Sequence, residues 1–130
     1  MPFSYRISEE EGVAYVTASG SVDVRSSVET MGELSRDPVF DPDFKVVVDL
    51  REMQYRPSLG ELRVIAWALG HEKTSFRNKV AVVVSESVRR RRAKVYSKFG
   101  RMAGFALELF PDMDDALAWV RSPSPKAERI

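Results

Sequence analysis

The stretch Lys45-Val-Val-Val-Asp-Leu-Arg-Glu-Met53 decides the fold of this 130-residue chain. The turn formers Asp41-Pro42-Asp43 precede it, and Phe44 to Leu50 is a short apolar run dense in β-branched residues. Valine is already restricted at χ1 and packs well on a pleated surface, so the run predicts a strand buried on both faces. Asp49 is its first polar interruption. The chain then loosens through Arg51 to Arg56, and Pro57-Ser58-Leu59-Gly60-Glu61 predicts the start of a helix. In open α/β sheets, sites form where strand C-termini hand over to helix N-termini. A binding site is expected here first.

On the N-terminal side, Phe3 to Ser8 alternates apolar and polar residues, the period of a half-buried strand. Glu9-Glu10-Glu11-Gly12 reads as a turn and Val13 to Ser19 as a second strand, which makes an antiparallel hairpin. Asp23 is a plausible N-cap for a helix whose inner face carries Val24, Val28, Met31 and Leu34, and which stops before Pro38.

On the C-terminal side, Ser58 with Glu61 forms a capping-box pattern, and Leu59, Leu62, Ile65, Ala66 and Leu69 make a core stripe. Lys79 to Ser85 predicts another buried strand. Ser85 or Ser87 caps a long helix to about Ala103, closed by Gly104. Phe105 to Phe110 is the last strand, and Pro111 and Asp112 open a short helix lined by Met113, Ala116, Leu117 and Val120. The order is ββαβαβαβα. Helices between successive strands demand parallel pairing and right-handed crossovers. The expected fold is a single α/β domain over 1–121, with a mixed, mostly parallel sheet that takes its antiparallel strand from the hairpin. Residues 122–130, polar and proline-punctuated, are expected to be a disordered tail.

Composition narrows the chemistry. The chain lacks cysteine, so it has no disulfide frame, thiol nucleophile or thiolate metal site, and its single histidine excludes a histidine-rich metal cage. No apolar stretch approaches the ~20 residues that span a bilayer, and a cytoplasmic, soluble protein is expected. Net charge of +1 gives no global attraction to nucleic acid. No Gly-x-Gly or P-loop pattern is present, so no nucleotide cofactor is expected.

The element order, together with Phe40-Asp-Pro-Asp-Phe-Lys-Val-Val-Val-Asp-Leu-Arg-Glu52, Lys79-Val-Ala-Val-Val-Val84 and Leu109-Phe-Pro-Asp-Met-Asp-Asp-Ala-Leu-Ala-Trp-Val120, resembles the SpoIIAA-like bacterial branch of the STAS superfamily. That superfamily includes anti-sigma factor antagonists and the STAS domains of sulphate transporters. The resemblance implies a STAS-like domain acting as a regulatory or binding module. The antagonists are phosphorylated on a serine in an Asp-Ser-Ser-Gly turn after the central strand. Here the matching place reads Arg56-Pro57-Ser58-Leu59-Gly60, and only Ser58 coincides. The resemblance therefore makes Ser58 a phosphorylation candidate, while the residues themselves also read as a plain helix cap.

Two further features suggest a binding surface. In Arg89-Arg-Arg-Arg92, continued by Lys94, Lys98 and Arg101, the helical period puts Arg91, Lys94, Lys98 and Arg101 on one face and Arg92 inside the apolar stripe. Cations in the first turns oppose the helix dipole at a cost of about 0.3–1 kcal/mol each, which points to an anionic partner; the competing reading is a solvated basic face with Arg92 lying along its own stem. Val64, Trp67 and His71 form a second strip on the preceding helix, opposite its core stripe: either a pocket wall or homodimer contact, or a strip whose Trp67 is covered by the loop before the central strand or by the C-terminal helix. Catalysis finds little support: Ser58 and His71 lie roughly 20 Å apart along one helix and cannot pair. Asp112, Asp114 and Asp115 cluster where acids stabilise a helix start without any metal.

The expectation is a non-enzymatic module without metal or cofactor, recognising a protein partner or an anionic, lipid-like ligand through Ser58, Val64, Trp67, His71, Arg89, Arg91, Arg92 and Lys94. A membrane-peripheral, lipid-binding domain and a Ser58 phosphoswitch are the competing readings. Nucleic acid is not expected as a partner, because no aromatic platform interleaves with the charges.

Overall fold

Val46, Val47 and Val48 are buried on both sides of a sheet, as the valine run predicts: Val46 and Val48 enter one core and Val47 the other. The computed structural model describes residues 3–20, 24–41, 43–53, 60, 78–103 and 106–122. Among them are strands β1 (Phe3–Ser8), β2 (Val13–Gly20), β3 (Lys45–Met53), β4 (Lys79–Val83) and β5 (Ala106–Phe110). They are joined by helices α1 (Val24–Arg36), α2 (Glu86–Ala103) and α3 (Met113–Arg121). The five strands form one sheet in the order β1-β2-β3-β4-β5, antiparallel at β1–β2 and parallel elsewhere. The α/β class and the mixed sheet with its N-terminal hairpin are as expected. The helix expected from Ser58 and the Asp23 cap lie outside the described residues, as does the tail from 123 onward.

Period-two alternation sorts the side chains between two layers. Ala14, Val16 and Ala18 of β2, with Val80 and Val82 of β4, face Met31 and Leu34 of α1 and Tyr96 of α2. Val13, Val47, Ala81 and Val83 face the other way, onto Ala116 and Val120 of α3. Because β4 is wholly buried, it carries no alternating polar residue.

The hairpin turns on Gly12, whose φ of 68° lies where only glycine is unstrained. Its N–H donates to the Ser8 carbonyl at 2.9 Å, and its own carbonyl accepts from Lys45 N at 3.0 Å, so one residue closes β1–β2 and starts the β2–β3 ladder. The C-terminal ends of β3 and β4 differ from expectation, and β2 runs one residue further, to Gly20. β3 runs past Leu50 because Glu52 and Met53 still pair with Ser19 and Gly20, beyond a register irregularity between Thr17 and Ser19. β4 ends at Val83, although Val84 N still reaches Phe110 O at 3.0 Å, because Ser85 is taken up in starting α2.

Lys79 opens β4 with only 3% of its surface exposed. Its ammonium donates to Trp119 O at 2.9 Å, Ser122 O at 2.8 Å and Ser122 Oγ at 2.7 Å, and lies 5.1 Å from the centre of the Trp119 ring. A cation at a helix C-terminus meets the negative end of the dipole and otherwise unpaired carbonyls. Lys79 thus ties the end of α3 to the sheet. At the other end, Asp112 caps α3, its carboxylate accepting from Asp115 N at 2.8 Å.

Candidate functional site

The basic helix α2 follows β4 directly. Ser85 stands at its cap: Oγ accepts from Val88 N at 3.4 Å, and the Ser85 carbonyl accepts from Arg89 N at 3.0 Å. The only acid in the first turn is Glu86. Arg89 grips it with both sides of its guanidinium, Nη2 to Oε1 at 2.6 Å and Nε to Oε2 at 2.9 Å, and Arg90 Nε adds a contact at 3.3 Å. These hydrogen bonds, Arg89's foremost, lower the Glu86 carboxyl from 4.5 to about 2. The unfavourable meeting of Arg89 and Arg90 with the helix dipole is therefore offset inside the first turn.

The rest of the run divides by side. Arg92, one turn before the buried Tyr96, hydrogen-bonds its hydroxyl; burial pushes the Tyr96 hydroxyl up, and the charge and hydrogen bond of Arg92 pull it the other way. Arg92 is thus placed by a polar partner rather than merely lying along apolar surface. Arg91, Lys94, Lys98 and Arg101 are all exposed, and none has an ion-pair partner among the described residues. Spaced at three, four and three residues, they form one stripe down the helix. Of the eight residues singled out from sequence, the structure therefore brings Arg91 and Lys94 together on an open surface. It engages Arg89 with Glu86 and Arg92 with Tyr96. Ser58, Val64, Trp67 and His71 fall outside the described residues.

α2 packs along β5, one of the two outermost described strands of the sheet. Between them lies an open groove of about 350 Å³ lined by Ala93, Lys94, Ser97, Arg101 and Glu108. Ser97 Oγ donates to the Leu107 carbonyl at 3.1 Å. Ser97 and Glu108 were not legible as site residues, since nothing local links a helix serine to a strand ten residues later. Lys98 and Arg101 were legible, being on the helical face that Arg91 and Lys94 define.

The C-terminal end of β3 holds a second charged group. Arg51 folds back on Asp49, with Nε to Oδ1 at 3.0 Å, Nη2 to Oδ2 at 2.9 Å and the backbone N–H to Oδ1 at 3.1 Å. The Arg51 side chain thereby holds the Asp49 carboxyl below its usual range. The pair satisfies itself and leaves neither group poised as an acid or base. Among the described residues no cluster of His, Asp and Glu could hold a metal ion, and no helix is long and apolar enough to cross a membrane.

No family model matches the chain, and no curated protein matches it significantly. Among solved structures, it is similar to the crystal structure of an uncharacterised DUF3478-family protein from Shewanella loihica PV-4, described as having a SpoIIAA-like fold. The two share 19% sequence identity and a TM-score of 0.60 over 91% of each chain. At that identity the likeness establishes architecture and not activity. With one antiparallel and three parallel strand pairings in the same sheet, the chain has a SpoIIAA-like α/β fold.

Proposed function

We propose that this domain is a non-enzymatic binding module that recognises an anionic partner through the exposed face of α2. One observation carries the reading. Glu86 pairs with Arg89 and Arg90, whereas Arg91, Lys94, Lys98 and Arg101 stay exposed and unpaired among the described residues. Like charges three or four apart on a helix destabilise it by about 0.2–0.5 kcal/mol per pair, so the three successive pairs together cost about 1 kcal/mol. An anionic partner removes that repulsion on binding and gains long-range steering from the same stripe.

The test is recovery of the partner from the protein's own source with three tagged forms: wild type, Lys94→Glu/Lys98→Glu, and a control, Arg6→Glu/Arg25→Glu. The control changes net charge equally but lies on β1 and α1, away from α2. A species that the control retains and the α2 variant loses is expected. Equal retention by the two variants, or equal loss, overturns the reading.

A further inference from the structure

We propose that the anionic partner is an acidic, extended segment of another protein, which adds to the sheet as a strand beside β5. This rests on the reading that the α2 stripe is the binding surface, and it names the shape of what binds there. The Val84 N–H donates to Phe110 O, so Phe110 and, by strand alternation, Glu108 and Ala106 turn their backbone groups toward β4. Leu107 and Leu109 then turn theirs outward, along an edge that no other described strand covers. Ser97 occupies one lone pair of the Leu107 carbonyl, and no other described residue takes the second.

The stripe is aligned with that edge. β4 and β5 are parallel, so the helix joining them runs back along β5. From Arg91 to Arg101 the helix advances about 15 Å, the length of four or five residues of extended chain. Lys94 and Lys98 are about 6 Å apart along the helix axis, close to the ~6.7 Å between alternate side chains of a strand. A segment with acids at alternate positions would place one row of carboxylates in the groove that Lys94 and Arg101 line. Its backbone would meet the outward groups of Leu107 and Leu109, the usual source of affinity in strand addition.

A second copy of this chain fits poorly. Antiparallel pairing of two β5 edges has its two-fold axis normal to the sheet, which brings both α2 helices to the same face, stripe against stripe. A membrane surface would want apolar side chains beside the cations. Among the described residues the one exposed large hydrophobic is Val39, in the loop between α1 and β3 and not on α2 or β5.

The probe is a capped nine-residue peptide alternating glutamate and threonine, with two relatives N-methylated on every glutamate amide or every threonine amide. Only one of the two sets of amides can face β5. The parent peptide is expected to bind and to protect the Leu107 and Leu109 amides from hydrogen exchange. One methylated relative should bind about tenfold or more weakly, as expected for losing two or more backbone hydrogen bonds, and the other should bind like the parent. Absent binding, or an equal effect of the two methylation patterns, overturns strand addition. Binding to phosphatidylserine vesicles in place of the peptide overturns it too. Lys94→Glu/Arg101→Glu separates the two proposals: if it abolishes peptide binding while methylation pattern has no effect, the stripe stands and strand addition falls. If the variant binds unchanged, both fall.

Discussion

Replacing Lys79 by methionine keeps most of the stem's volume and removes the ammonium, so it isolates what that charge contributes. Two opposing effects must be compared. Burying an ammonium costs several kcal/mol in lost hydration. Against this stand three charge-assisted hydrogen bonds at 2.7–2.9 Å, each contributing about 1.5–3 kcal/mol net of its exchange with water. The α3 dipole adds up to ~2 kcal/mol in a partly buried setting, and the indole face about 1 kcal/mol. Some loss is recovered in the variant, because Trp119 O also accepts from Ser122 N at 3.1 Å and Ser122 Oγ at 2.6 Å and is not orphaned. The expected net destabilisation is about 2–4 kcal/mol, within the range for removing one partner of a buried polar network. With a urea m-value of about 2 kcal/mol/M for a chain of this size, the unfolding midpoint should fall by about 1–2 M. Hydrogen exchange at the Ser122 amide should accelerate before that of β3, because the clasp is local to the end of α3. A midpoint unchanged or raised in Lys79→Met would refute the reasoning, showing that desolvation of the ammonium cancels its bonds.

Two further outcomes follow from other contacts. Gly12→Ala should destabilise by about 1–2 kcal/mol in chemical denaturation, the cost of a left-handed non-glycine residue. The nearest atom to an added Cβ is Phe44 Cδ1 at an ordinary 3.7 Å, so a larger loss would show that sterics and not backbone conformation decide. By carbon-detected NMR, the Glu86 carboxyl should titrate near 2 and move back toward 4.5 in Arg89→Ala. A carboxyl whose folded pKa is lowered contributes stability that is complete above its ordinary value and lost as pH falls toward the folded one. The start of α2 should therefore loosen only below about pH 4.5 and down to pH 2; an effect above pH 5 would contradict the assignment.

The parts of this fold that follow from local periodicity were legible. The β3 valines, the alternation in β1 and the Gly12 turn each follow from a few neighbouring residues. What escaped depends on residues brought together by the sheet. Lys79 looks like an unremarkable polar start to an apolar strand; that it is buried depends on α3, some forty residues later, ending over it. The bond from Ser97 to Leu107 likewise exists only because α2 lies along β5. The basic run stands between these cases. Its cost to the helix dipole is legible, and so is the remedy, since Glu86 precedes Arg89 and Arg90 by three and four positions, the spacing at which helical ion pairs form. Reading the run as one block hides that division.

A net charge of +1 conceals three different uses of positive charge. Lys79 is spent inside the fold, where its partners are fixed carbonyls that no ligand displaces without loosening α3. Arg89, Arg90 and Arg51 are spent at the surface on acids from their own elements, and such exposed pairs are screened and easily exchanged. The α2 stripe is spent on none of the described acids. Folding alone gives no reason to keep four like charges along one helix, since any one of them as glutamate would turn a repulsive pair into an attractive one. A partner supplies the reason, because repulsion tolerated in the free protein becomes differential affinity when an anion arrives. Salt discriminates among the three uses: raising ionic strength should leave the Lys79 clasp intact, weaken the surface pairs slightly and affect partner binding most.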